Sequence, residues 1–462
     1  MTKIKPTLSK GTRDFLPQEV AKRNYIFETI KSVFRKYGFE QIETPAIERL
    51  ETLTGKYGEE GDKLLFKILN SGDYLADVRT NIADVKDLDP KEVTPLIAEK
   101  GLRYDLTVPL ARYVVQHQEK LAFPFKRFHI GPVWRADRPQ KGRYQEFYQC
   151  DADVIGSTSL LNEVELTKIY AEVFQKLGLD VVIHINHRKI LEAIAHYYNC
   201  ENRFEEFVTI LDKLDKIGYP ALVQEYKKHN IELDTTGKHP LSFFWTGAEQ
   251  NSDSWESFFS WFKGLLNSSI MDNAVAELSS VLKHFDFKGS VKFDCSLARG
   301  LNYYTGVIWE VKAKGVQMGS IASGGRYDNL TEMFGGQNMS GVGISFGIER
   351  IYDVMEELNL FPASVAGGVK VLFVPRDKSA EDYAFLLTQQ VRDAGHSAEI
   401  FLGNVKKQRQ FNYAEQKSIQ YIVEIGENEV SSGNFRLRHV SEKREIASGI
   451  TLQELLQQLQ KI

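Results

Sequence analysis

The chain begins with the pattern of an amphipathic helix. Between 18 and 37 apolar side chains recur every three or four residues, with Pro17 before the run and Gly38 after it. Proline and glycine are favoured at those two positions of a helix. Residues 39–43 then have the composition of a short strand, which ends before Pro45 because proline cannot donate to a sheet ladder. Taken alone, this helix and strand indicate only core scaffolding.

Residues 123–155 predict two strands joined by a basic loop at 138–143. Since side chains alternate between the two faces of a strand, the second strand has one apolar face and one mostly polar face. The polar face carries Phe147, Gln149, Asp151 and Asp153. Both a solvated outer face of an antiparallel sheet and the lining of a ligand cleft explain such a pattern.

The middle of the chain predicts a helical insertion within a sheet-based domain. Helical periodicity dominates 187–289. Strand patterns then resume, followed by a helix, at 291–295, 303–311, 341–346 and 348–358. We therefore assign 1–361 to one domain of the α+β class.

A smaller domain is predicted after a linker at 362–368, which contains a proline and two glycines. From 369 to 462 short apolar strands alternate with helices, as in an α/β unit with a mainly parallel sheet. One of its helices, at 405–417, is basic.

Composition narrows the class of protein. A chain of 462 residues with 42% hydrophobic and 26% charged residues is typical of a globular protein of several domains. It lacks a secretory signal and an apolar run that could span a bilayer, so we expect a cytoplasmic protein without a membrane partner. A net charge of −4 argues against indiscriminate nucleic-acid binding, and any RNA contact must come from local basic patches. Cys150, Cys200 and Cys295 lack metal-like spacing and are expected to be buried thiols.

Arginines are the candidate phosphate ligands of this chain. The sequence has no glycine-rich phosphate loop, and a guanidinium group can grip phosphate oxygens with two parallel hydrogen bonds. The candidates are Arg135, Arg143, Arg299 and Arg350. A surface arginine is the simpler explanation of each one taken singly.

A rival interpretation comes from residues 343–347, GISFG, which match the nucleophile elbow of serine hydrolases around Ser345. A hydrolase triad also needs a histidine downstream. The available ones, His396 and His439, fall in the second domain, and no oxyanion segment is visible.

Several segments together resemble the motifs of histidyl-tRNA synthetases, over nearly the whole chain. The first helix and strand resemble the class II dimerisation motif, FHIGPVWRADRPQKGRYQEFYQCDADVIG resembles the second class motif, and GVGISFGIER resembles the third. LARGLNYYTG and SGGRYD resemble the two peptides peculiar to the histidine enzymes.

The resemblance implies a class II antiparallel sheet flanked by helices, with the helical insertion at 187–289 and an α/β anticodon-binding domain at 369–462. It implies a histidine–tRNA ligase, an enzyme that activates L-histidine with ATP and transfers it to the 3′ end of tRNA(His). A homodimer is implied as well, together with Mg²⁺ beside the β- and γ-phosphates.

The resemblance also implies roles for single residues at the nucleotide. The residues implied for ATP are Arg135 at the α-phosphate, Arg143 at the outer phosphates, Asp137, and Phe147 and Arg350 on the two faces of adenine. Arg135 and Arg299 would be catalytic. Arg299 would offset the negative charge that builds as the carboxylate of histidine attacks phosphorus.

The amino-acid pocket is implied by a further set of polar residues. Asp105, Thr107 and Gln149 would bind the amino group of histidine. Asp153 and Tyr304 would bind the two ring nitrogens. The rest of the pocket wall would come from Arg299, Tyr303 and Tyr327. Asp105 and Thr107 would share one face of an extended segment. A carboxylate and a phenol at the two ring nitrogens would discriminate against an analogue that lacks either nitrogen.

Contacts to tRNA are implied at two basic segments. They are Arg138, Gln140 and Lys141 for the acceptor stem, and Lys406, Lys407, Gln408 and Arg409 on the helix of the second domain. Basic side chains suit phosphates, and glutamines can read base edges. A solvated basic helix face is the alternative for any one of them.

Two positions depart from the common pattern of the second motif. Asp137 stands where many members have the longer Glu, and Gln145 where a basic residue is frequent. A competing function is a regulatory paralogue that senses histidine on the same fold. Such proteins usually lack the anticodon domain and the catalytic arginines, and this chain has both.

Overall fold

The structure is a computed structural model, and it describes residues 5–81, 89–233, 240–241, 255–266, 268–285, 290–298, 303–329, 331–366, 368–403 and 406–460. The chain divides into two compact units. One comprises Met1–Arg13 and Ile26–Leu360, and the other comprises Asp14–Tyr25 and Phe361–Ile462.

The first unit is built on an eight-stranded sheet. In spatial order its strands are β1 (Glu40–Gln41), β5 (Phe125–Trp134), β6 (Glu146–Ile155), β11 (Gly341–Gly347), β10 (Ala322–Tyr327), β9 (Val307–Ala313), β7 (Val181–His187) and β8 (Val291–Phe293). The six middle strands are antiparallel to their neighbours, while β1 and β8 pair in parallel at the two edges. This sheet confirms the predicted antiparallel fold.

A separate three-stranded sheet has the order β2 (Ile47–Arg49), β4 (Lys100–Leu102) and β3 (Lys67–Ile68). The helices before residue 360 are α1 (Pro17–Lys36), α2 (Leu50–Leu53), α3 (Gly58–Lys63), α4 (Ala76–Asn81), α5 (Pro90–Ile97), α6 (Thr107–His117), α7 (Leu161–Lys176), α8 (Arg188–Tyr197), α9 (Phe204–Leu211), α10 (Leu214–Lys228), α11 (Trp255–Leu266), α12 (Ser269–Leu282) and α13 (Ile348–Glu357). Short 3-10 helices lie at Gln118–Lys120, Glu201–Arg203 and Glu332–Phe334. Helices α8 to α12 all lie between β7 and β8.

The predicted first helix is confirmed as α1, and it packs on the large sheet. Ile26, Ile30 and Val33 are fully buried. The ring of Phe34 on the same stripe lies 5.4 Å from that of Phe128 on β5 and 5.9 Å, between centroids, from that of Phe346 on β11. The apolar stripe therefore covers the middle of the sheet on the side of Phe128 and Phe346.

Strand β10 was not predicted, and its glycines explain why. Glycine is depleted in strands, so the segment ASGGRY has no strand pattern. In the folded sheet, a Cβ added at Gly324 would lie 2.3 Å from the carbonyl oxygen of Gly343 on β11. The glycine is therefore needed for the close approach of two strands.

The second unit has a five-stranded sheet with the order β13 (Ala398–Ile400), β12 (Val371–Pro375), β14 (Tyr421–Ile425), β15 (Phe435–His439) and β16 (Arg444–Ile450). Its helices are α14 (Glu381–Asp393), α15 (Lys407–Gln416), α16 (Glu427–Ser432) and α17 (Leu452–Gln460), with 3-10 helices at Ala363–Ala366 and Lys378–Ala380. Strands β13, β12 and β14 are parallel, as predicted. The antiparallel strands β15 and β16 were not predicted.

The three cysteines are buried free thiols, which confirms the prediction for Cys150, Cys200 and Cys295. Among the residues that the structure describes, no helix combines the length and the apolarity that crossing a bilayer requires.

Candidate active site

A cavity of about 500 Å³ lies over the middle strands of the large sheet. Its walls come from β6, β9, β10 and β11, from the start of α6 and α13, and from the loop between β5 and β6. Ten of the predicted site residues line it: Asp105, Thr107, Arg135, Asp137, Arg143, Phe147, Gln149, Tyr303, Tyr304 and Arg350.

The polar face of β6 lines this cavity and is not a solvated surface. Phe147, Gln149 and Asp151 belong to the cavity wall, whereas Cys150 and Ala152 on the opposite face are completely buried. Of the two alternatives that alternation left open, the structure favours the lining of a cleft.

Asp153, the fourth residue of this face, lies behind the cavity wall. Its carboxylate forms an ion pair with Arg127 on β5 at 2.6 Å. Its Oδ1 also accepts a hydrogen bond of 2.6 Å from the hydroxyl of Tyr327. The predicted residues Asp153 and Tyr327 are thus bonded to each other, and neither belongs to the cavity lining.

Glycines make room for these side chains over the sheet. A Cβ at Gly325 would lie 2.5 Å from the Tyr304 ring, one at Gly341 would lie 2.3 Å from the Tyr327 ring, and one at Gly343 would lie 1.9 Å from Oδ1 of Asp153. The glycines of SGGRYD and GVGISFGIER therefore permit two aromatic rings and a carboxylate to lie directly on β10 and β11.

Asp105 forms the centre of a second polar cluster. Its Oδ1 accepts hydrogen bonds from the backbone N–H of Val108 at 3.0 Å and from the Tyr57 hydroxyl at 3.1 Å. Its Oδ2 accepts one from the hydroxyl of Tyr303 at 3.4 Å. Burial raises the pKa of Asp105, while the Val108 N–H and the charge of Arg135 oppose that rise.

The prediction that Asp105 and Thr107 lie on an extended segment was wrong. Helix α6 begins at Thr107. Oδ1 of Asp105 accepts from a backbone N–H in the first turn of that helix, where donors lack partners within the helix. Both residues nevertheless line the cavity, because a helix start brings them to the same wall.

Three predicted arginines line the cavity. The Arg135 guanidinium carbon lies 4.3 Å from the centroid of the Tyr104 ring and 5.2 Å from that of Phe147. Arg350 donates hydrogen bonds of 2.6 Å to the carbonyl oxygens of Gly142 and Ser320. Backbone and ring contacts thus position two of these guanidinium groups.

The third arginine, Arg143, approaches the carboxylate of Asp137 at 3.4 Å and is partly exposed. Asp137 is one methylene shorter than the Glu frequent at this position, and it still reaches Arg143. Gln145, the other departure, donates a hydrogen bond of 3.0 Å from its side chain to the carbonyl of Asp137.

The remaining predicted residues lie outside the cavity or outside the described chain. Arg299 lies outside the described residues. Lys141, in the same loop as Arg138 and Gln140, forms an ion pair with Glu357 at 2.9 Å. In the second unit the residues 406–409 are exposed at the start of α15, and Lys407 forms an ion pair with Glu424 at 2.9 Å.

Sequence reasoning missed part of the cavity wall. Trp309, Glu310, Ser345 and Glu349 line it together with Asp151. The alternation along β6 had marked Asp151 as a polar-face residue, but no role was assigned to it. Glu310 follows Trp309 within an apolar strand, and a lone carboxylate in such a strand was the available signal.

Ser345 does not have the geometry of a nucleophile elbow. It lies within β11, in register with Asp151 on one side and Ser323 on the other. Its backbone is not in the positive-φ region, where the sharp turn of an elbow would place it. Its Oγ accepts a hydrogen bond of 3.0 Å from the side chain of Gln149, and no histidine lines the cavity among the described residues.

An antiparallel sheet beneath a cavity lined by guanidinium groups, carboxylates and phenols fits a class II aminoacyl-tRNA synthetase. The chain belongs to the histidyl-tRNA synthetase family. The model of that family matches residues 11–83 and 98–351, and the model of an anticodon-binding domain matches 369–462.

Individual relatives agree with this assignment. The chain is 47% identical to a histidine–tRNA ligase of Azobacteroides pseudotrichonymphae over 94% of each chain. It is also 47% identical to one of Phocaeicola vulgatus over 98% of each chain. A crystal structure of histidyl-tRNA synthetase from Nostoc sp. PCC 7120 superposes with a TM-score of 0.78 at 27% identity, covering 99% of this chain and 100% of that one.

Proposed function

We propose that the cavity catalyses activation of L-histidine by ATP, giving histidyl-adenylate and pyrophosphate, and then transfers histidine to the 3′ end of tRNA(His). One observation carries this proposal. A single cavity is lined both by the guanidinium groups of Arg135, Arg143 and Arg350 and by the polar side chains of Asp105, Gln149 and Tyr304. Such a cavity can hold a triphosphate beside an amino acid with a polar ring.

ATP binds at the three arginines that line the cavity. Arg135 contacts the α-phosphate, Arg143 and Asp137 act at the outer phosphates, and adenine lies between Phe147 and Arg350. A guanidinium group can form two parallel hydrogen bonds to a phosphate group, and it keeps its charge at any physiological pH. Because Arg135 and Arg350 are already positioned by ring and backbone contacts, they need little reorganisation when the nucleotide binds.

Mg²⁺ accompanies the β- and γ-phosphates in this proposal. Magnesium prefers oxygen ligands and is usually held by one or two carboxylates together with phosphates. Glu310 and Glu349 line the cavity and are each 4% exposed, and their carboxylates would supply oxygen ligands to the ion. The ion would neutralise part of the charge on the outer phosphates.

Histidine binds at the polar side chains of the same cavity. Asp105, Thr107 and Gln149 take its ammonium group, because together they offer two oxygen acceptors and a side-chain amide. Tyr304 and Asp153 take the ring nitrogens, with Tyr303 and Tyr327 completing the wall. An amino acid without a polar ring would leave these buried groups without partners, which costs about 1–3 kcal/mol for each group.

The chemical step requires no nucleophile from the protein. The carboxylate of histidine attacks the α-phosphorus and pyrophosphate leaves, so the protein contributes positioning and charge stabilisation. Arg135 stabilises the charge on the α-phosphate, and Arg299 is proposed for the same task on its motif alone. The second step joins the histidyl group to the terminal ribose of tRNA.

Binding of tRNA is proposed at two places. Arg138, Gln140 and Lys141 would contact the acceptor stem, and Lys406, Lys407, Gln408 and Arg409 would contact the anticodon region. We further propose the domain bounds 1–361 and 369–462 with a linker at 362–368, a homodimer assembled through the first helix and strand, and a cytoplasmic location.

The test is exchange of labelled pyrophosphate into ATP by the full-length chain, measured with histidine, proline, threonine and glycine in parallel. We expect exchange with histidine only. Exchange with another amino acid would overturn the assigned substrate. Absence of exchange with every amino acid, together with intact histidine binding, would favour the histidine sensor.

A further inference from the structure

One carboxyl group of the cavity has no role in the function proposed above. Asp151 lies on β6 between Gln149 and Asp153, lines the cavity and is 2% exposed. Its Oδ1 has no hydrogen-bond partner among the described residues. Buried polar atoms are nearly always paired, so an unpaired oxygen in a cavity wall indicates a group that contacts a ligand.

Asp151 is held in place by its neighbour across the sheet. Ser345 lies opposite it in the register of β6 and β11, and the Ser345 hydroxyl hydrogen-bonds the carboxyl group. That hydroxyl accepts from the Gln149 amide at 3.0 Å, so its single proton is free to be donated to Asp151. The serine of GVGISFGIER thus positions two polar side chains of the pocket.

The position of Asp151 places it beside the ring of the bound amino acid. Alternate residues of a strand lie roughly 7 Å apart on one face. Gln149 lies at the ammonium end of the proposed pocket and Asp153 at the ring end. A histidine held between them must therefore pass over Asp151.

Within the described part of the chain, Asp151 has no ion-pair partner, although cations lie nearby. Arg127, which is completely buried, pairs with Asp153. Arg103 donates instead to the backbone carbonyls of Thr44 and Pro132. Asp105 is the partner of the ammonium group in the proposed function. Asp151 has no ion pair within 4 Å among the described residues.

The other titratable groups that face Asp151 do not supply an ion-pair partner either. His129, opposite it on β5, stays neutral because burial and the charges of Arg127 and Arg103 lower its pKa to about 3. Burial raises the pKa of Tyr170 and of Tyr304, so both phenols keep their protons. Burial also raises the pKa of Asp151 itself to about 7, with Arg127 opposing and the charge of Asp153 adding to the rise.

We propose that Asp151 is a specificity-determining residue that binds the histidine ring in its protonated form, accepting one ring N–H together with the Tyr304 hydroxyl oxygen while Asp153 accepts the other. The inference rests on the proposed function. A protonated imidazole has two N–H donors and one positive charge, so it matches two carboxylates of which only one already has a cation. Histidine then enters with a proton that is shared between its ring and Asp151.

The experiment counts protons during histidine binding. Calorimetric titration of the full-length enzyme with histidine at pH 8, repeated in buffers of different ionisation enthalpy, gives the number of protons taken up. At this pH the free ring is neutral, since its ordinary pKa is near 6.5, and Asp151 is mostly ionised. We expect uptake of close to one proton per histidine.

Variants assign the proton to Asp151. Asp151→Asn should bind histidine with close to zero proton uptake and with at least tenfold lower affinity. Asp180→Asn is the matched control, because it makes the same change at an exposed aspartate outside the cavity lining, and it should retain the uptake. ATP binding to each variant checks the fold, and Asp151→Ser replaces the Asn variant if that variant does not bind ATP.

The outcomes separate this inference from the function on which it depends. If wild type binds histidine without proton uptake, or if Asp151→Asn takes up as many protons as wild type, Asp151 does not have this role and the proposed function stands. If wild type does not bind histidine at all, the proposed function itself fails.

Discussion

At the scale of single residues, the pocket depends on buried carboxylates whose surroundings differ. Asp105 accepts hydrogen bonds from a helix N–H and two phenols, Asp153 pairs with Arg127, and Asp151 faces the cavity. The sequence placed Asp151 and Asp153 on one face of a strand. It could not show which of them lines the cavity, because that depends on Arg127 from a different strand.

The raised pKa of Asp151 predicts a pH-dependent gain in stability for Asp151→Asn. Between pH 4 and 7 the folded protein keeps the proton that the unfolded chain has lost, so wild-type stability falls as pH rises through this window. Asparagine does not titrate. The stability difference should therefore grow in favour of the variant up to pH 7 and then stay constant, reaching up to roughly 4 kcal/mol at about 1.4 kcal/mol per pKa unit.

Urea unfolding of both proteins at pH 4.5, 6 and 8 measures this difference. A constant offset over the three values would show that Asp151 is ionised throughout. We expect Asp151→Asn to be more stable than wild type and to bind histidine more weakly. This combination is typical of groups that are retained for function.

The Tyr304 hydroxyl predicts a second effect at residue scale. Tyr304→Phe removes one proposed partner of the ring and should raise KM for histidine about 10- to 100-fold, the range expected when a buried polar partner is lost. KM for ATP should stay within about twofold of the wild-type value, because the arginines proposed for ATP are unchanged. Pyrophosphate exchange measures both constants, and Tyr113→Phe, outside the cavity lining, serves as the control.

At the scale of elements, periodicity predicted α1, β6 and the parallel strands of the second unit, because each buries a regular apolar stripe or face. It failed for β10, whose glycines carry no hydrophobic signal and are required by the close approach to β11. It also extended a predicted strand over 303–311, whereas β9 begins at Val307 and Tyr303 and Tyr304 lie in the preceding segment at the cavity. The strand therefore begins later than predicted, because these two tyrosines belong to the cavity wall and not to the strand.

Two glycines of β11 provide an element-scale test. A Cβ at Gly343 would lie 1.9 Å from Oδ1 of Asp153, whereas one at Gly347 would meet its nearest atom, the Ile321 carbonyl oxygen, at 3.5 Å. Gly343→Ala should displace Asp153 from Arg127 and Tyr327. It should raise KM for histidine at least tenfold and lower stability by about 1–3 kcal/mol, as overpacking of a filled interior does.

Gly347→Ala, on the same strand, should change stability by less than about 0.5 kcal/mol, as substitutions without a specific conflict usually do. Thermal unfolding and pyrophosphate exchange of the two variants give the comparison. Equal effects of the two substitutions would mean that the strand, and not the position of Asp153, is what glycine preserves.

At the scale of the whole molecule, each unit has its own interior. In the second unit two apolar clusters cover the two faces of the five-stranded sheet, one including Val371, Phe373 and Val423 and the other Leu372, Val374 and Ile422. Alternate residues of β12 thus supply opposite faces, which is why the sequence showed a continuous apolar run there. Histidine activation is proposed for the first unit and anticodon binding for the second, so mutations should be able to separate the two.

The basic start of α15 tests that separation. Lys406 and Arg409 are exposed there, while Lys407 is engaged with Glu424. Lys406→Ala combined with Arg409→Ala should raise KM for tRNA about tenfold in aminoacylation and reduce its salt dependence, because about two phosphate contacts and their counterions are lost. Pyrophosphate exchange, which needs no tRNA, should not change. A matched pair of exposed cations outside α15, Lys443→Ala with Arg444→Ala, should leave both reactions unchanged. If the α15 variant lost exchange as well, the basic helix would act on activation, and assigning the two steps to separate units would be wrong.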